Sequence, residues 1–446
     1  MVIKMPNNNK AERQYIADII FSEFLGIKFN IEFCDVIDYQ IIINDSKRLI
    51  IKDDFFSKFT DKTYLSKSNI PDRINILNES EFQLKENMPI IYGNHEIEIL
   101  ENELVCGVDI FASSFYMLSR WEEYVMNEKD IHDRFSDELS LAFKFGFYKR
   151  AVVNEYVELL WNMLVHLGFN QKRKDRKYNL FLTHDVDFFR RYDSTRKLAK
   201  AVGGDLLKRK SPKMAKETIS TFQKIKSGEA KDPYDTFDYL MDISEKYNIK
   251  SHFYFIPGKI GEADAQYNID DLDFTETIFN IIGRGHIVGA HFGYDSYNNK
   301  EQISTEKKRL IEITNKIKET RQHFLRFENP TTWQILEQNE INIDSTLGYT
   351  SDIGFRCGTC YEFSVFDIIE RKKLNLKEYP LIVMDTALAN ATKRNEEEFL
   401  SELYQINKTV KNFNGNFVFL WHQNNKALPE WDFVSEEYEK IIENII

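Results

Sequence analysis

Cysteine is the first shortage. Four residues in a chain of 446 cannot staple a fold of this size, and Cys34 and Cys106 have no partner close in sequence. A reducing compartment and a fold held by its own core are expected instead. The other two form Cys357-Gly-Thr-Cys360, a spacing shared by redox motifs and half zinc sites. Without a second ligand pair or a strand-to-helix setting, two partly buried thiols is the plainer reading.

Long apolar runs are also missing. Charges and amides interrupt the opening MVIKMPNNNKAERQYIADIIF where a secretory signal needs a continuous apolar stretch, and no segment reaches membrane-spanning length. A cytoplasmic location is the expectation. Positive charge is short as well: the net charge of -12 excludes general nucleic-acid binding, because phosphate backbones attract basic surfaces. With only 18 Gly and 9 Pro the composition argues against global disorder, and no low-complexity tract is visible.

What is present is the composition of a folded globular chain, 42% hydrophobic and 29% charged, with abundant Phe and Tyr. The length predicts two domains. Residues 1–170 mix strand-like runs, such as Tyr39-Gln40-Ile41-Ile42-Ile43 and Arg48-Leu49-Ile50-Ile51-Lys52, with helical patterns. They read as an α+β domain. Its clearest helix is expected over 108–125, where Phe111, Phe115, Leu118, Trp121 and Val125 recur at helical spacing as core positions.

The polar run at 171–177 marks the boundary, and a second domain is expected over 178–446. There, strand-like runs at 178–183, 251–256, 287–291, 324–327, 341–345, 381–384 and 417–421 alternate with helical ones. This pattern predicts βαβ units and an α/β fold with a parallel sheet or barrel. An insertion at about 190–231 holds thirteen Lys or Arg against four Asp or Glu. It reads either as a solvated helical arm or as a peripheral dock for an anionic glycan or membrane surface.

Three strand ends carry groups capable of chemistry. Thr183-His184-Asp185-Val186-Asp187 ends an apolar strand in two carboxylates, and functional groups of parallel β/α folds cluster at such ends. One acid holding a divalent metal while the other takes a proton from water explains the pair; a structural pair capping the next helix explains it too. His291 ends a second strand, with Asp295 four residues on, and imidazole with carboxylate suits zinc or a similar ion. His422 ends the last strand. A lone His is most often structural, but three polar strand ends from distant parts of the chain point to one site.

This succession resembles the polysaccharide deacetylases, the NodB-homology or carbohydrate esterase family 4 domain, over residues 178–446. The resemblance implies a deformed (β/α) barrel that removes N-acetyl groups from an amino-sugar polysaccharide or its precursor. It implies Asp185 as general base and Asp187 as metal ligand. His291 matches the first His of the family's metal motif, and Asp295 stands where the second would be. Arg326 is the best match for the Arg near the catalytic acid, with Arg321 the alternative, and Leu420-Trp421-His422 matches the Leu-x-His motif that makes His422 the general acid.

The segments around Asp352 and Arg356, and 379–385, look like a subgroup found with surface-polysaccharide biosynthesis genes and having an N-terminal accessory domain like this one. They would line the groove, Arg356 pairing an anionic sugar, with Tyr294 and Trp421 stacking on sugar faces. The implied cofactor is a divalent metal, zinc first, with cobalt, nickel or manganese as substitutes, and the implied partner is an N-acetylated glycan. Two other functions fit the same residues. One is a glycan-binding or assembly protein whose metal site has decayed at Asp295; the other is a hydrolase of a different C–N or ester bond.

Overall fold

The computed structural model of the chain describes residues 1–446 except 45, 193–194, 259–262 and 265–266, and gives residue 196 by its backbone alone. Residues 193–194 of the basic insertion therefore lie outside the described residues.

The first half forms strands β1 (Val2–Pro6), β2 (Asn30–Cys34), β3 (Tyr39–Ile42), β4 (Arg48–Ile51), β5 (Asn75–Leu77), β6 (Met88–Ile90), β7 (Gly93–Ile99) and β8 (Glu103–Val108). Six of them make a mixed sheet in the order β2-β1-β3-β4-β8-β7, and β5 pairs with β6 separately. Alternation fixes the buried face: Tyr39 and Ile41 on β3 and Leu49 and Ile51 on β4 are inaccessible.

The helix expected over 108–125 is two helices, Ile110–Ser119 and Trp121–Val125. Arg120 between them adopts a left-handed backbone, φ 51°, which breaks the helical path. Its buried guanidinium pairs with Glu122 and Glu123, which offsets the conformational cost.

The second half supplies nine strands: β9 (Asn179–Val186), β10 (Ser251–Phe255), β11 (Ile287–Phe292), β12 (Glu319–Gln322), β13 (Ile343–Asp344), β14 (Phe363–Asp367), β15 (Lys372–Glu378), β16 (Val383–Met384) and β17 (Asn416–Leu420). They form one sheet, β14-β15-β13-β12-β11-β10-β9-β17-β16, parallel throughout except where β14 meets β15. Helices in the crossovers after β9, β10, β11, β12 and β16 pack against the sheet, as parallel pairing requires.

The sheet is curled. Arg321 on β12 reaches Thr183 and Asp185 on β9 at 2.9 Å, although β10 and β11 lie between those strands in the sheet. Phe181, Leu325, Leu381, Val418 and Leu420 fill the concave side as a small apolar cluster of their own. Across the gap from β13 to β17, the Leu381 N–H donates to the Leu347 carbonyl and the Ile382 N–H to that of Val418. Strand pairing among the described residues gives a curled, half-barrel sheet.

The two halves share a core. Tyr15 and Phe115 from the first pack on Phe366 of β14, with ring centroids 4.7 and 5.4 Å away, and the Tyr15 hydroxyl donates to the Ser364 carbonyl. No helix among the described residues is long and apolar enough to cross a membrane.

Candidate active site

The strand period of two sorts the residues of β9. Leu180, Leu182 and Val186 join the main core, whereas Phe181, Thr183 and Asp185 face the concave side. His184 belongs to the outer set. Its Nδ1 lies 2.8 Å from the Trp421 carbonyl and its Nε2 3.2 Å from the Ser251 hydroxyl, and burial lowers its pKa to about 3, so it is a neutral structural residue.

Five further polar side chains meet at the carboxyl ends of neighbouring strands. Asp187 follows β9, His291 ends β11, His323 follows β12, Asp385 follows β16 and His422 lies two residues beyond β17. One ligand atom each from Asp187, His291 and His323 lie within 4.8 Å of one another. The two His Nε2 atoms are 3.5 and 3.8 Å from Asp187 Oδ1. Their Nδ1 atoms are held from behind, His291 by the Arg321 carbonyl at 2.8 Å and His323 by the Asp264 carboxylate at 3.2 Å. Such outer contacts fix the imidazoles with Nε2 facing inward, as in metal sites.

Buried Asp187 Oδ1 has no hydrogen-bond partner within the protein. Two imidazole nitrogens and an orphaned carboxylate oxygen fit a divalent cation.

The charges are tuned together. Burial alone would raise the Asp187 pKa, but His291, His323 and His422 hold it well below the usual carboxylate range. Burial opposes charge on His291, yet Asp185 and Asp187 outweigh it and raise its pKa. His422 is also raised against burial, to about 10, chiefly by Asp385. Asp385 accepts from the His422 backbone N–H at 2.6 Å and meets its Nδ1 at 2.8 Å, leaving Nε2 directed at Asp187 Oδ2, 3.7 Å away.

Asp185 differs from Asp187 in being pinned. Its Oδ1 accepts from Arg321 Nη1 at 2.9 Å, and the fully buried guanidinium also donates to Thr183 Oγ1 and to the carbonyl and hydroxyl of Ser345. Its Oδ2 remains toward His291 Nε2, 3.7 Å away.

These residues open onto a cleft of about 280 Å³, which is also lined by Met384, Thr350 and Thr386. One wall comes from the first half of the chain: His132 and Arg134 project from a loop pinched by a Lys129–Phe135 bridge. The His132 ring lies 4.7 Å from that of Phe324, with Nδ1 3.2 Å from the Tyr294 hydroxyl, and Arg134 donates to the Phe324 carbonyl at 2.8 Å.

Several expected residues stand elsewhere. Asp295 is exposed and paired with Arg326 at 3.0 Å, outside the metal-capable group. Arg326 stacks over Tyr294 and Tyr297 at 4.1 and 4.2 Å, so it braces that loop, while Arg321 holds Asp185. Arg356 is buried against Glu123 at 2.7 Å and has no access to the cleft. Asp352 accepts from the Tyr148 hydroxyl and lines a separate groove with Lys149 and Glu402. Trp421 is buried among Trp431 and Tyr438. Tyr294 touches the cleft wall through His132 rather than lining it. Asp185, Asp187, His291 and His422 do come together.

The residue missed from sequence is His323. The strand expected at 324–327 is β12 at Glu319–Gln322, followed by a turn in which Phe324 and Leu325 both have left-handed backbones, φ 60° and 54°. Each costs about 1–3 kcal/mol in such a position. The turn sends Leu325 into the concave apolar cluster and keeps His323 against Phe324 at the strand end. A polar residue directly after a strand was the available signal, obscured because β12 itself reads as polar.

Residues 1–168 match the model of a family of unknown function, DUF7033. No curated protein matches the chain. Among solved structures, it is similar to a Mycobacterium smegmatis protein provisionally described as a polysaccharide deacetylase, with 15% identity and a TM-score of 0.35 over 61% of this chain and 85% of that one. A chitin deacetylase of Colletotrichum lindemuthianum matches at 14% identity and a TM-score of 0.29, over 47% and 75% of the two chains. A carbohydrate esterase family 4 pseudoenzyme of Bacillus anthracis matches at 10% identity and 0.27, over 48% and 57%. At these scores none of the likenesses fixes what this chain does.

Proposed function

We propose that this protein is a metal-dependent hydrolase that removes N-acetyl groups from an amino-sugar polysaccharide or its precursor, in surface-polysaccharide metabolism. The observation that carries the reading is the convergence of Asp187, His291 and His323 beside a pinned Asp185 and an acid-backed His422. Asp187 Oδ1 and the Nε2 atoms of His291 and His323 would hold the metal, and a set of two nitrogens and one oxygen suits zinc first, then cobalt, nickel or manganese. When bound, a divalent cation supplies Lewis acidity that polarises the acetyl carbonyl and makes hydroxide available near neutral pH.

The rest is the work of the chain's own groups. Asp185 receives a proton from the attacking water at Oδ2, because Oδ1 is committed to Arg321. His422 gives a proton from Nε2 to the departing amine, and Asp385 favours the charged imidazole needed for that step. Acetate and a free amino sugar leave. Residues 1–170 act as an accessory domain, and its His132 and Arg134 form the substrate-side wall of a deformed barrel.

The presence of His323 speaks for an active site rather than a decayed one, since it supplies the ligand that Asp295 does not. Incubation with N-acetylated oligosaccharides should release acetate, and o-phenanthroline should abolish the release. Acetate release unaffected by chelator, or none from a metal-loaded sample on a panel of N- and O-acetylated sugars, refutes the assignment.

A further inference from the structure

Charge in this chain is sharply segregated. Helices Thr195–Leu207 and Pro212–Lys226 pack chiefly on each other as an antiparallel hairpin. Residues 195–226 carry ten Lys or Arg against two Asp or Glu, in a chain whose net charge is -12. The interior of the hairpin is closed by Ala215, Thr218 and Phe222, and Thr218 donates to Asp205 at 2.7 Å. Ser211 caps the second helix, accepting from the Met214 N–H at 3.2 Å. The hairpin thus has a structure of its own, and its tip is not recruited to the main core.

That tip is apolar and basic at once. Leu206 and Leu207 are 46% and 80% exposed, and Lys208, Arg209 and Lys210 directly after them are exposed as well. Arg209 is answered by Asp205 at 2.8 Å, and Lys213 beyond the turn stands 87% exposed with its nearest acid, Glu217, 3.9 Å away. Single exposed leucines need no explanation. Two adjacent ones at the end of a basic hairpin form a surface that water serves poorly.

We infer that this tip docks on a bilayer surface rich in anionic lipid. Anionic headgroups answer the lysines, and the boundary between headgroups and acyl chains takes the leucines. A soluble polyanion matches the charge but offers nothing to Leu207, which is why the lipid surface is favoured over an anionic glycan. The inference is independent of the hydrolase reading, since it uses no residue of the cleft.

The test is cosedimentation of the full chain with vesicles of phosphatidylcholine alone and with vesicles also containing phosphatidylglycerol. Binding is expected only to the second and should fade as salt is raised, by screening. Leu206→Ser with Leu207→Ser should weaken it about tenfold, and Lys208→Glu with Lys210→Glu should abolish it. All four sites are exposed, so thermal melts should match wild type. Failure to bind phosphatidylglycerol vesicles, or binding indifferent to the leucine pair, overturns the inference. Capture on immobilised polygalacturonate that survives the leucine substitutions, with no vesicle binding, would assign the hairpin to a polyanionic glycan instead.

Discussion

Two pairs of acids stand on or directly after strands of the same curled sheet and settle their repulsion in opposite ways. Asp344 on β13 and Glu378 on β15 are register partners, both fully buried. Burial raises the pKa of each, Asp344 to about 6 and Glu378 well above its usual range, with the charge of Asp344 adding to the second. Arg321 is near, but its N–H groups serve Thr183, Asp185 and Ser345. Burial therefore favours the protonated form of this pair at a pH where exposed carboxyls have ionised.

Asp185 and Asp187 have Arg321 and three histidines around them, and Asp187 is held well below its ordinary range. Its side chain is also 25% exposed to the cleft. What separates a candidate site from a buried structural pair is the cations around the acids and the opening to solvent, not the acids themselves.

The comparison breaks most sharply at the metal. His323→Ala or Asp187→Asn should take bound zinc from roughly one per chain to almost none, with acetate release lost. Next in size, Asp185→Asn should lower kcat by about 10²–10⁴-fold while leaving metal content unchanged, because Asp185 moves a proton and ligates nothing. If this variant loses its metal in step with its activity, Asp185 is a ligand and the division of roles is wrong.

A smaller effect distinguishes the second pair. From about pH 4 to 6 the folded chain retains protons at Asp344 and Glu378 that the unfolded chain has released, so stability contributed there falls as pH rises through that window and beyond it for Glu378. Glu378→Gln, which mimics the protonated acid, should flatten the dependence by about 1–3 kcal/mol in urea titrations between pH 4 and 8. An unchanged slope would mean the pair holds no extra proton. Smallest of all, Arg134→Ala should raise KM about threefold with kcat intact, since Asp130 already neutralises the guanidinium.

How much of this could be read in advance depended on what each strand faces. β9, β10, β11 and β17 are apolar on both faces or nearly so, and they announce themselves; Asp185, Asp187, His291 and His422 at or just beyond the ends of β9, β11 and β17 line one cleft. β12 does not, because Thr320, Arg321 and Gln322 are buried polar residues whose side chains bond to Ala290, to Thr183 across the curl and to Ser296. β14 and β15 passed unseen; the Lys-rich β15 exposes alternate residues and reads as surface.

Asp295 misled for a related reason. A spacing of four places side chains together on a helix, but the chain leaves β11 at Phe292 into a turn, where the Ser296 N–H donates to the Gly293 carbonyl. The carboxylate is carried out to Arg326. Arg356 looked free for a ligand only because its partner, Glu123, is more than two hundred residues away in sequence.

The most direct measurement is elemental analysis of the wild type, His323→Ala and Asp295→Ala, purified without chelator and side by side. About one divalent metal per chain in the wild type and Asp295→Ala, and almost none in His323→Ala, is the expected result. Metal retained in His323→Ala but lost in Asp295→Ala would contradict the site as built here.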